Sequence, residues 1–368
     1  MLIRQIEIFK SRIKLLEPFK ISLGILDHAE NVIVRITTDN GFIGFGECSP
    51  FKTINGESMD TGFIVGQYLG KVLIGKNPLD IEDCISLMNK VIYGNSSIKS
   101  AFDIALYDIA SQHAKLPLYK FLGGNNYKEI VTDYTISIDR PEKMAEDAVE
   151  IKNKGFNVIK VKLGGTREED SERIKQIRDK IGYDIPLRID ANQGWNCKTA
   201  LEILKNLESY NIQHCEEPIP RWDFMNLPFL KKNSLIPIMA DESCCDHNDA
   251  ARLIDLNACH RFNIKLGKSS GIFNALKIIK LAEKADIPMQ IGGFLESRLG
   301  FTASAHLSLS NDQIRYFDFD TPLMFEEDPV KGGMTYGKNG LITLPETIGL
   351  GAFIDESYLE NLPKILIQ

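Results

Sequence analysis

The sequence predicts an α/β fold in which a (β/α)8 barrel carries an additional α+β domain, and three observations lead to this prediction. Short apolar segments typical of strands recur about every 25 residues through the middle of the chain, with helix-competent segments between them. The first 125 residues follow another order, in which strands come first and helices follow. Charged residues close several of the repeated strands, and in a barrel such strand ends share the rim where active sites lie.

Residues 1–125 are assigned to the α+β domain, which we expect to cap the barrel. Its last two strands are joined by Asp39-Asn40-Gly41, which is a strong hairpin signal. The last helix is indicated by apolar residues at helical spacing. The predicted strands are 2–9, 30–38 and 41–47, and the predicted helices are 60–73, 79–92 and 97–114.

Residues 126–321 are assigned to the barrel, because eight strand candidates fall there with helical patterns between them. An open doubly wound sheet is the alternative, but charged residues at consecutive strand ends suit a closed ring better. We expect the remaining segment, 322–368, to include a hairpin and to return to the first domain. The strand candidates are 130–138, 156–162, 186–190, 212–216, 236–241, 260–265, 287–292 and 314–319.

Bulk composition limits the possible partners. The 368 residues are 43% hydrophobic and 25% charged, which is ordinary for a soluble globular protein. The net charge of −7 argues against nucleic acid or an anionic membrane as the main partner. The stretch Leu299–Asn311, the longest without a charged residue, is far shorter than a membrane span. The N-terminus lacks a signal-peptide pattern, so we expect a cytoplasmic protein.

Three acidic residues close successive strand candidates in the barrel: Asp190, Glu216 and Asp241. A single Asp at a strand end is often only a helix N-cap, but three in register favour one shared site. With oxygen ligands and no His or Cys, such a site selects Mg²⁺, or else Mn²⁺, rather than zinc.

Three lysines mark neighbouring strands in the same way. Lys160 and Lys162 alternate on one strand, so both side chains point into the barrel, and Lys265 closes the sixth strand. The second and sixth strands of an eight-stranded ring are opposite each other, so a substrate between them would show one face to Lys162 and the other to Lys265. This arrangement fits inversion of a carbon centre by proton removal and delivery. A purely structural network of ion pairs is the alternative.

These motifs together resemble the enolase superfamily and its muconate-lactonizing-enzyme subgroup, over nearly the whole chain. The resemblance implies a capped, modified barrel, a homo-oligomer, and one Mg²⁺ per subunit on Asp190, Glu216 and Asp241. It also implies that Lys162 and Lys265 form the acid/base pair, assisted by Lys160. Enolase-superfamily sites of this kind stabilise an enediolate with metal after a proton α to a carboxylate is removed. The motifs are Lys160-Val-Lys162, Asp190-Ala-Asn-Gln-Gly-Trp195, Glu216-Glu-Pro218, Ala240-Asp-Glu-Ser243 and Asn263-Ile-Lys265.

The eighth strand indicates which activity within this subgroup is expected. Asp318 and Asp320 alternate there, so we expect both to face inward, where two carboxylates would capture a cation. This pair resembles that of the dipeptide epimerases, in which it binds the α-ammonium group of the substrate. The resemblance implies 1,1-proton transfer at the Cα of the C-terminal residue of a dipeptide. The alternatives are an o-succinylbenzoate synthase or a muconate cycloisomerase, which need no ammonium site.

The capping loops bear on the choice of dipeptide. Gly24 stands where the Ala-Glu epimerases of the family carry a glutamate-binding arginine, and Phe51 and Ile54 are expected near the side-chain pocket. We therefore expect an Ala-Xaa substrate with a neutral or hydrophobic second residue. Thr135 is expected to reach the substrate from the first barrel strand. Glu296 is expected to line or support the pocket, with a plain capping role as the alternative.

Two other specificities remain open from the sequence alone. Lys20 or Lys52 could replace the missing arginine, which would make the protein an L-Ala-D/L-Glu epimerase. Glu57, in the second capping loop, could favour a cationic dipeptide.

Overall fold

The computed structural model describes residues 1–126 and 128–368; Tyr127, which falls in the range assigned to the barrel, lies outside the described residues. The N-terminal part forms an antiparallel sheet of four strands, in which the C-terminal strand Lys364–Ile367 lies beside the first strand of the chain. The other three strands are β1 (Ile3–Ile21), β2 (Gly24–Thr38) and β3 (Ile43–Cys48).

The first hairpin is much longer than the strand predicted over 2–9. β1 and β2 pair from Ile3 opposite Thr38 to Ile21 opposite Gly24, with a register shift between Lys14 and Phe19. Pro18 and the charged residues around it favour a loop when the sequence is read locally, which is why the outer half was missed. The tip of this hairpin extends beyond the sheet to the mouth of the barrel.

Three helices cover the sheet. The first begins with a capping box, in which Ser58 and Thr61 each bond the other's backbone N–H. The third is buried along nearly its whole length, because it lies between the sheet and the barrel. The helices are α1 (Met59–Leu73), α2 (Ile81–Val91) and α3 (Ser96–His113), and the short α4 (Leu118–Phe121) and β4 (Ile130–Val131) lead to the barrel.

The barrel is a parallel sheet of eight strands in sequence order. The amide of Asp133 donates to the carbonyl of Phe317 at 3.4 Å, which joins the two ends of the sheet. The strands are β5 (Tyr134–Ile136), β6 (Ile159–Lys162), β7 (Leu187–Asp190), β8 (Ile212–Glu216), β9 (Ile238–Ala240), β10 (Arg261–Lys265), β11 (Met289–Gly292) and β12 (Ile314–Phe317).

Helices surround this sheet, and their apolar faces pack on it to form the main core. A capping box of Thr166 and Glu169 fixes the start of the second of them. The helices are α5 (Pro141–Asn153), α6 (Arg167–Ile181), α7 (Cys197–Leu207), α8 (Leu227–Asn233), α9 (His247–Asp255), α10 (Leu266–Ser269), α11 (Ile272–Lys284) and α12 (Arg298–Ser308).

The predicted strand 130–138 is in fact two strands in different sheets. Ile130 and Val131 pair with a C-terminal hairpin, and only Tyr134–Ile136 joins the barrel. The break lies at Thr132 and Asp133, where the Thr132 amide donates to Gly340 and the Asp133 side chain turns into the barrel to meet Arg188. One run with the composition of a strand therefore contains two strands that pair with different partners.

The C-terminal segment contacts both parts of the molecule. β14 (Thr335–Tyr336) and β15 (Leu341–Thr343) form a hairpin whose second strand pairs with β4, while the last strand of the chain pairs with β1. The elements are β13 (Val330–Gly332), β14 (Thr335–Tyr336), β15 (Leu341–Thr343), β16 (Ala352–Ile354), α13 (Glu356–Leu359) and β17 (Lys364–Ile367).

Two buried carboxylates of the N-terminal part serve as N-caps for barrel helices. Glu47 of β3 accepts hydrogen bonds from the amides of Ser297 (3.0 Å) and Gly300 (2.9 Å) at the start of α12. Asp103 of α3 accepts one from the amide of Ile272 (2.5 Å) at the start of α11. These contacts fix the loops that follow β10 and β11 at the barrel rim.

Candidate active site

A cavity lies at the C-terminal rim of the barrel, beneath the hairpin tip and the loop that follows β3. Its wall combines charged groups from the strand ends with apolar side chains from the capping loops. The lining residues are Phe19, Ile21, Leu26, Phe51, Ile54, Thr135, Lys162, Asn192, Lys265, Gly293, Phe294, Leu295, Asp318, Asp320 and Thr321.

Lys162 and Lys265 enter this cavity from β6 and β10, which are four strands apart in the ring of eight. The Nζ atom of Lys162 is 2.6 Å from Oδ2 of Asp190, and that of Lys265 is 2.7 Å from Oδ2 of Asp241. Burial lowers the pKa of Lys265, but Asp241 and Glu216 outweigh this effect and raise it. Two ammonium groups thus face one space from opposite walls, each held by a different carboxylate.

Lys160 stands beneath the cavity rather than in its wall. Its Nζ atom is 2.8 Å from Glu216, 2.8 Å from Asp318 and 3.1 Å from Asp190, and its side chain is only 1% exposed. Burial alone would lower the pKa of this lysine, but the three carboxylates and the nearby Asp133 raise it well above its usual value. Lys160 is therefore a fixed positive charge between two groups of carboxylates.

The carboxylates of Asp190, Glu216 and Asp241 are fully buried on adjacent strand ends. Burial raises the pKa of Asp190, but Lys162 and Lys160 lower it to about 2. For Glu216, burial and the charge of Asp190 raise the pKa to about 7. Among the described residues, the one cation within 4.0 Å of Glu216 is Lys160, which Glu216 shares with Asp190 and Asp318.

These three residues fit a divalent cation. They offer hard oxygen donors only, which is the chemistry that Mg²⁺ prefers. Oδ2 of Asp241 is buried and has no hydrogen-bond donor aligned with it, although the ammonium of Lys265 lies nearby. Glu216, which shares its lysine with two other carboxylates, also favours a cation.

A second group of carboxylates lies at the other end of the cavity. Asp318 and Asp320 follow β12 and line the cavity, and one oxygen of each lies within 4.8 Å of an oxygen of Asp133. Oδ2 of Asp320 accepts a hydrogen bond from the amide of Thr135 at 2.6 Å. Burial and the charge of Asp318 raise the pKa of Asp320 to about 7. Thr135 thus meets the cavity beside the predicted acidic pair.

Apolar residues form the side of the cavity between these two ends. The ring of Phe294 lies 5.4 Å from that of Phe51 between centroids, and the buried Ile54 lies in the same loop as Phe51. From the hairpin tip, Phe19 and Leu26 are cross-strand partners that both line the cavity. This side would accept an aliphatic group more readily than a charged one.

Two predicted pocket residues lie outside this lining. Gly24 is exposed in the hairpin turn with φ +142°, and a Cβ there would meet no atom within 4 Å. Leu26, two residues later, takes its place in the cavity wall. Glu296 is buried behind Phe294 and accepts a hydrogen bond from the Phe294 amide at 2.6 Å, so it supports the loop rather than lining the cavity.

The residues that would favour charged dipeptides also have other partners. Lys20 pairs with Asp139 at 2.6 Å, and the side chain of Lys52 is 72% exposed. Glu57 is buried at the start of α3, where it accepts hydrogen bonds from the amide of Ser97. None of these three residues lines the cavity.

Sequence reasoning missed two charged residues beside the site. Lys268 is fully buried on α10 and donates to both the carboxylate and the carbonyl of Asp241. Asp133 pairs with Arg188 at 2.7 Å. The position of Lys268 could have been inferred from the sequence, since Lys268 follows Lys265 by about one helical turn. For Asp133, the sequence signal was only a polar residue that interrupts an apolar strand.

Comparison with known proteins places both parts of the chain in one family. Residues 3–123 match the mandelate racemase / muconate lactonizing enzyme N-terminal domain, and residues 143–358 match the enolase C-terminal domain-like family. The chain belongs to the enolase superfamily, in its mandelate racemase / muconate lactonizing enzyme branch. The resemblance inferred from the sequence motifs is confirmed.

Several members of the branch are similar to this chain over nearly their full length. The D-Ala-D/L-Ala epimerase of Cytophaga hutchinsonii is 63% identical, with 100% of both chains covered. The hydrophobic dipeptide epimerase of Enterococcus faecalis is 40% identical over 95% of this chain and 99% of its own. The crystal structure of the dipeptide epimerase from Cytophaga hutchinsonii, complexed with Mg and D-Ala-L-Val, has a TM-score of 1.00 at 63% identity and full coverage of both chains.

Proposed function

We propose that this protein is a Mg²⁺-dependent dipeptide epimerase that inverts the Cα of the C-terminal residue of its substrate. The observation that carries the proposal is the position of Lys162 and Lys265, whose ammonium groups face one cavity from opposite walls. Inversion needs a proton acceptor on one face of the carbon and a donor on the other, and this pair supplies both. The dipeptide epimerases among the similar proteins support the same assignment.

Asp190, Glu216 and Asp241 would hold the metal. When bound there, Mg²⁺ stabilises the negative charge that develops on the substrate carboxylate as the Cα proton leaves. Lys160 adds a fixed positive charge beneath the same end of the cavity. The substrate carboxylate is therefore expected at this end.

The lysines carry the proton. One of them, as the neutral amine, takes the Cα proton from its side of the substrate, while the other, as the ammonium, delivers a proton to the opposite face. Because the two lysines are attached to opposite strands, each epimer can be formed from the other by exchanging these roles. The apolar wall of Phe51, Ile54 and Phe294 keeps water from the reacting carbon.

Asp318 and Asp320 would bind the amino terminus of the substrate, with Thr135 beside them. Two buried carboxylates at one end, and the metal site with its surrounding lysines at the other, match a molecule with an ammonium and a carboxylate. This arrangement distinguishes a dipeptide from the ammonium-free substrates of the alternative activities. Among dipeptides, the apolar wall favours a neutral or hydrophobic second residue. The similar D-Ala-D/L-Ala epimerase supports alanine, in the D form, as the first residue.

The proposal also covers the binding partners, the oligomeric state and the cellular location of the protein. We expect a cytoplasmic homo-oligomer that acts on small dipeptides and binds neither nucleic acid nor membranes. None of the helices in ranges 1–126 and 128–368 is both long and apolar enough to cross a membrane. The net charge of −7 agrees with the absence of a nucleic-acid partner. Light scattering coupled to size exclusion would give the number of subunits.

An exchange screen tests the activity. The Mg²⁺-loaded protein is incubated in D₂O with separate pools of Ala-hydrophobic, Ala-Glu and Ala-Lys dipeptides, in both L and D forms of alanine, and the mass gain is read. A gain of about one dalton in the Ala-hydrophobic pool supports the proposal. A gain confined to Ala-Glu or Ala-Lys would contradict the pocket assignment, and no gain in any pool would contradict the epimerase assignment.

A further inference from the structure

A third carboxylate stands behind the pair that faces the cavity. Asp133 lies just before β5 and is fully buried, and one oxygen each of Asp133, Asp318 and Asp320 lies within 4.8 Å of the others. Asp133 does not itself line the cavity. It therefore acts on a bound group through Asp318 and Asp320.

The three carboxylates carry more negative charge than their neighbours offset. Oδ2 of Asp133 pairs with Arg188 at 2.7 Å. Asp318 pairs with Lys160, which also forms an ion pair with Glu216. Asp320 has no cation within 4.0 Å among the residues that the structure describes. In addition, Oδ1 of Asp133 is buried with no hydrogen-bond donor to it.

Buried carboxylates this close together cannot all be ionised unless a cation or a proton joins them. Burial and the charge of Asp318 raise the pKa of Asp133 well above its usual value, and they raise that of Asp320 to about 7. For Asp318, burial raises the pKa, but Lys160 and Lys162 lower it below its usual value. The charged and titratable groups that face the trio are Arg188, Lys160, Lys162, Lys265, Tyr134 and Tyr336.

We propose that Asp133, Asp318 and Asp320 share one proton when no substrate is bound, and that the ammonium group of an entering dipeptide replaces it. Asp133 is thus a positioning residue that makes this end of the cavity selective for a cation. The exchange is balanced, since the substrate keeps its three ammonium hydrogens and one proton leaves for solvent. The inference rests on the proposed function, because it requires a substrate with an ammonium group.

The experiment counts protons released on binding. D-Ala-L-Ala, brought to equilibrium with its epimer, is titrated into the Mg²⁺-loaded protein by calorimetry in buffers of different ionisation enthalpy. Because epimerisation itself neither takes up nor releases protons, the count reports binding alone. We expect about one proton released per dipeptide at pH 6. At pH 8.5 we expect a net uptake instead, because the trio has already lost its proton and most of the free dipeptide, whose α-amino pKa is about 7.7–8.0, must gain one to bind as the ammonium.

Variants assign that proton to the trio. Asp133→Asn replaces the shared proton with an amide donor, so release at pH 6 should fall to about one fifth or less. Asp139→Asn, at the half-buried pair with Lys20, is the matched control and should release as many protons as the wild type. If Asp133→Asn fails to fold, Asp320→Asn carries the same expectation.

Two results would overturn the inference: no proton release by the wild type at pH 6, or unchanged release by the folded variant. Deuterium exchange into the dipeptide, measured on the same sample, keeps the two proposals apart. Exchange without proton release would refute the shared proton and leave the epimerase assignment in place. Absence of both binding and exchange would refute both.

Discussion

Lys265 and Lys268 are buried and both contact Asp241, but we expect Lys268→Met to act mainly on stability and Lys265→Met mainly on activity. Lys268 donates to the carboxylate and carbonyl of Asp241 and to the carbonyls of Asn263 (3.0 Å) and Cys244 (3.3 Å). Lys268→Met leaves Oδ1 of Asp241 without a donor in a buried place, while the Asp241 carbonyl keeps the amide of Cys244 (3.0 Å). Removing one partner of a buried ion pair costs about 3–5 kcal/mol, so we expect a loss of that size in the free energy of unfolding.

The same substitution should weaken metal binding. Lys268 orients Asp241, and the loss of such an outer contact lowers metal affinity by about 10–100-fold. The measurements are urea unfolding in EDTA and calorimetric titration with Mg²⁺. In the matched variant Lys265→Met, Asp241 keeps Lys268, so we expect about 1 kcal/mol of destabilisation but no detectable epimerisation. Equal stability and equal Mg²⁺ affinity of the two variants would refute this reasoning.

Three further predictions concern specificity, pH and the metal. Leu26→Arg should lower kcat/KM for Ala-Val at least about tenfold, by placing a charge in the apolar wall, and should favour Ala-Glu in competition assays. Burial raises the pKa of Asp103 from 3.8 to about 8, so the folded state binds the Asp103 proton more tightly than the unfolded state does. The free energy of unfolding therefore falls as pH rises between these two values. Asp103→Asn should remove this pH dependence, measured by urea unfolding from about pH 5 to 8.5. An unchanged or steeper slope in the variant would contradict the assignment. EDTA should abolish exchange, and Mg²⁺ at about 100 times its Kd should restore it and stabilise the protein by about 2.7 kcal/mol; exchange that persists in EDTA would exclude a metal role.

The barrel could be predicted from the sequence because its signals are local. Each strand is a short apolar run, and a charged residue such as Asp190 or Lys265 closes it at a regular interval. The same regularity placed the metal-ligand candidates and the lysines on one rim. The outer half of the hairpin was missed although buried Ile13 and Leu15 alternate there with exposed Arg12 and Lys14, because Pro18 and the charged residues around it favour a loop when the sequence is read locally.

The remaining site residues depend on contacts between distant parts of the chain. Asp133 meets Arg188 of β7, two strands along the barrel and 55 residues away in the chain, and it lies within a run that is otherwise typical of a strand. Leu26 enters the cavity only because β2 pairs with β1 in a register that brings it opposite Phe19. A single sequence gives the residues of such pairs but does not show which residues pair with each other.

The helix caps that Glu47 and Asp103 provide have a consequence for protein engineering. A chimera that takes its first 123 residues from another member of the branch replaces Glu47 and Asp103 together with the rest of the N-terminal domain. Where the donor lacks either one, amides at the start of α11 or α12 would be buried without an acceptor, at a cost of about 1–3 kcal/mol each. Transplanting the specificity loops alone, on the native sheet and α3, avoids this loss and keeps the barrel loops in register.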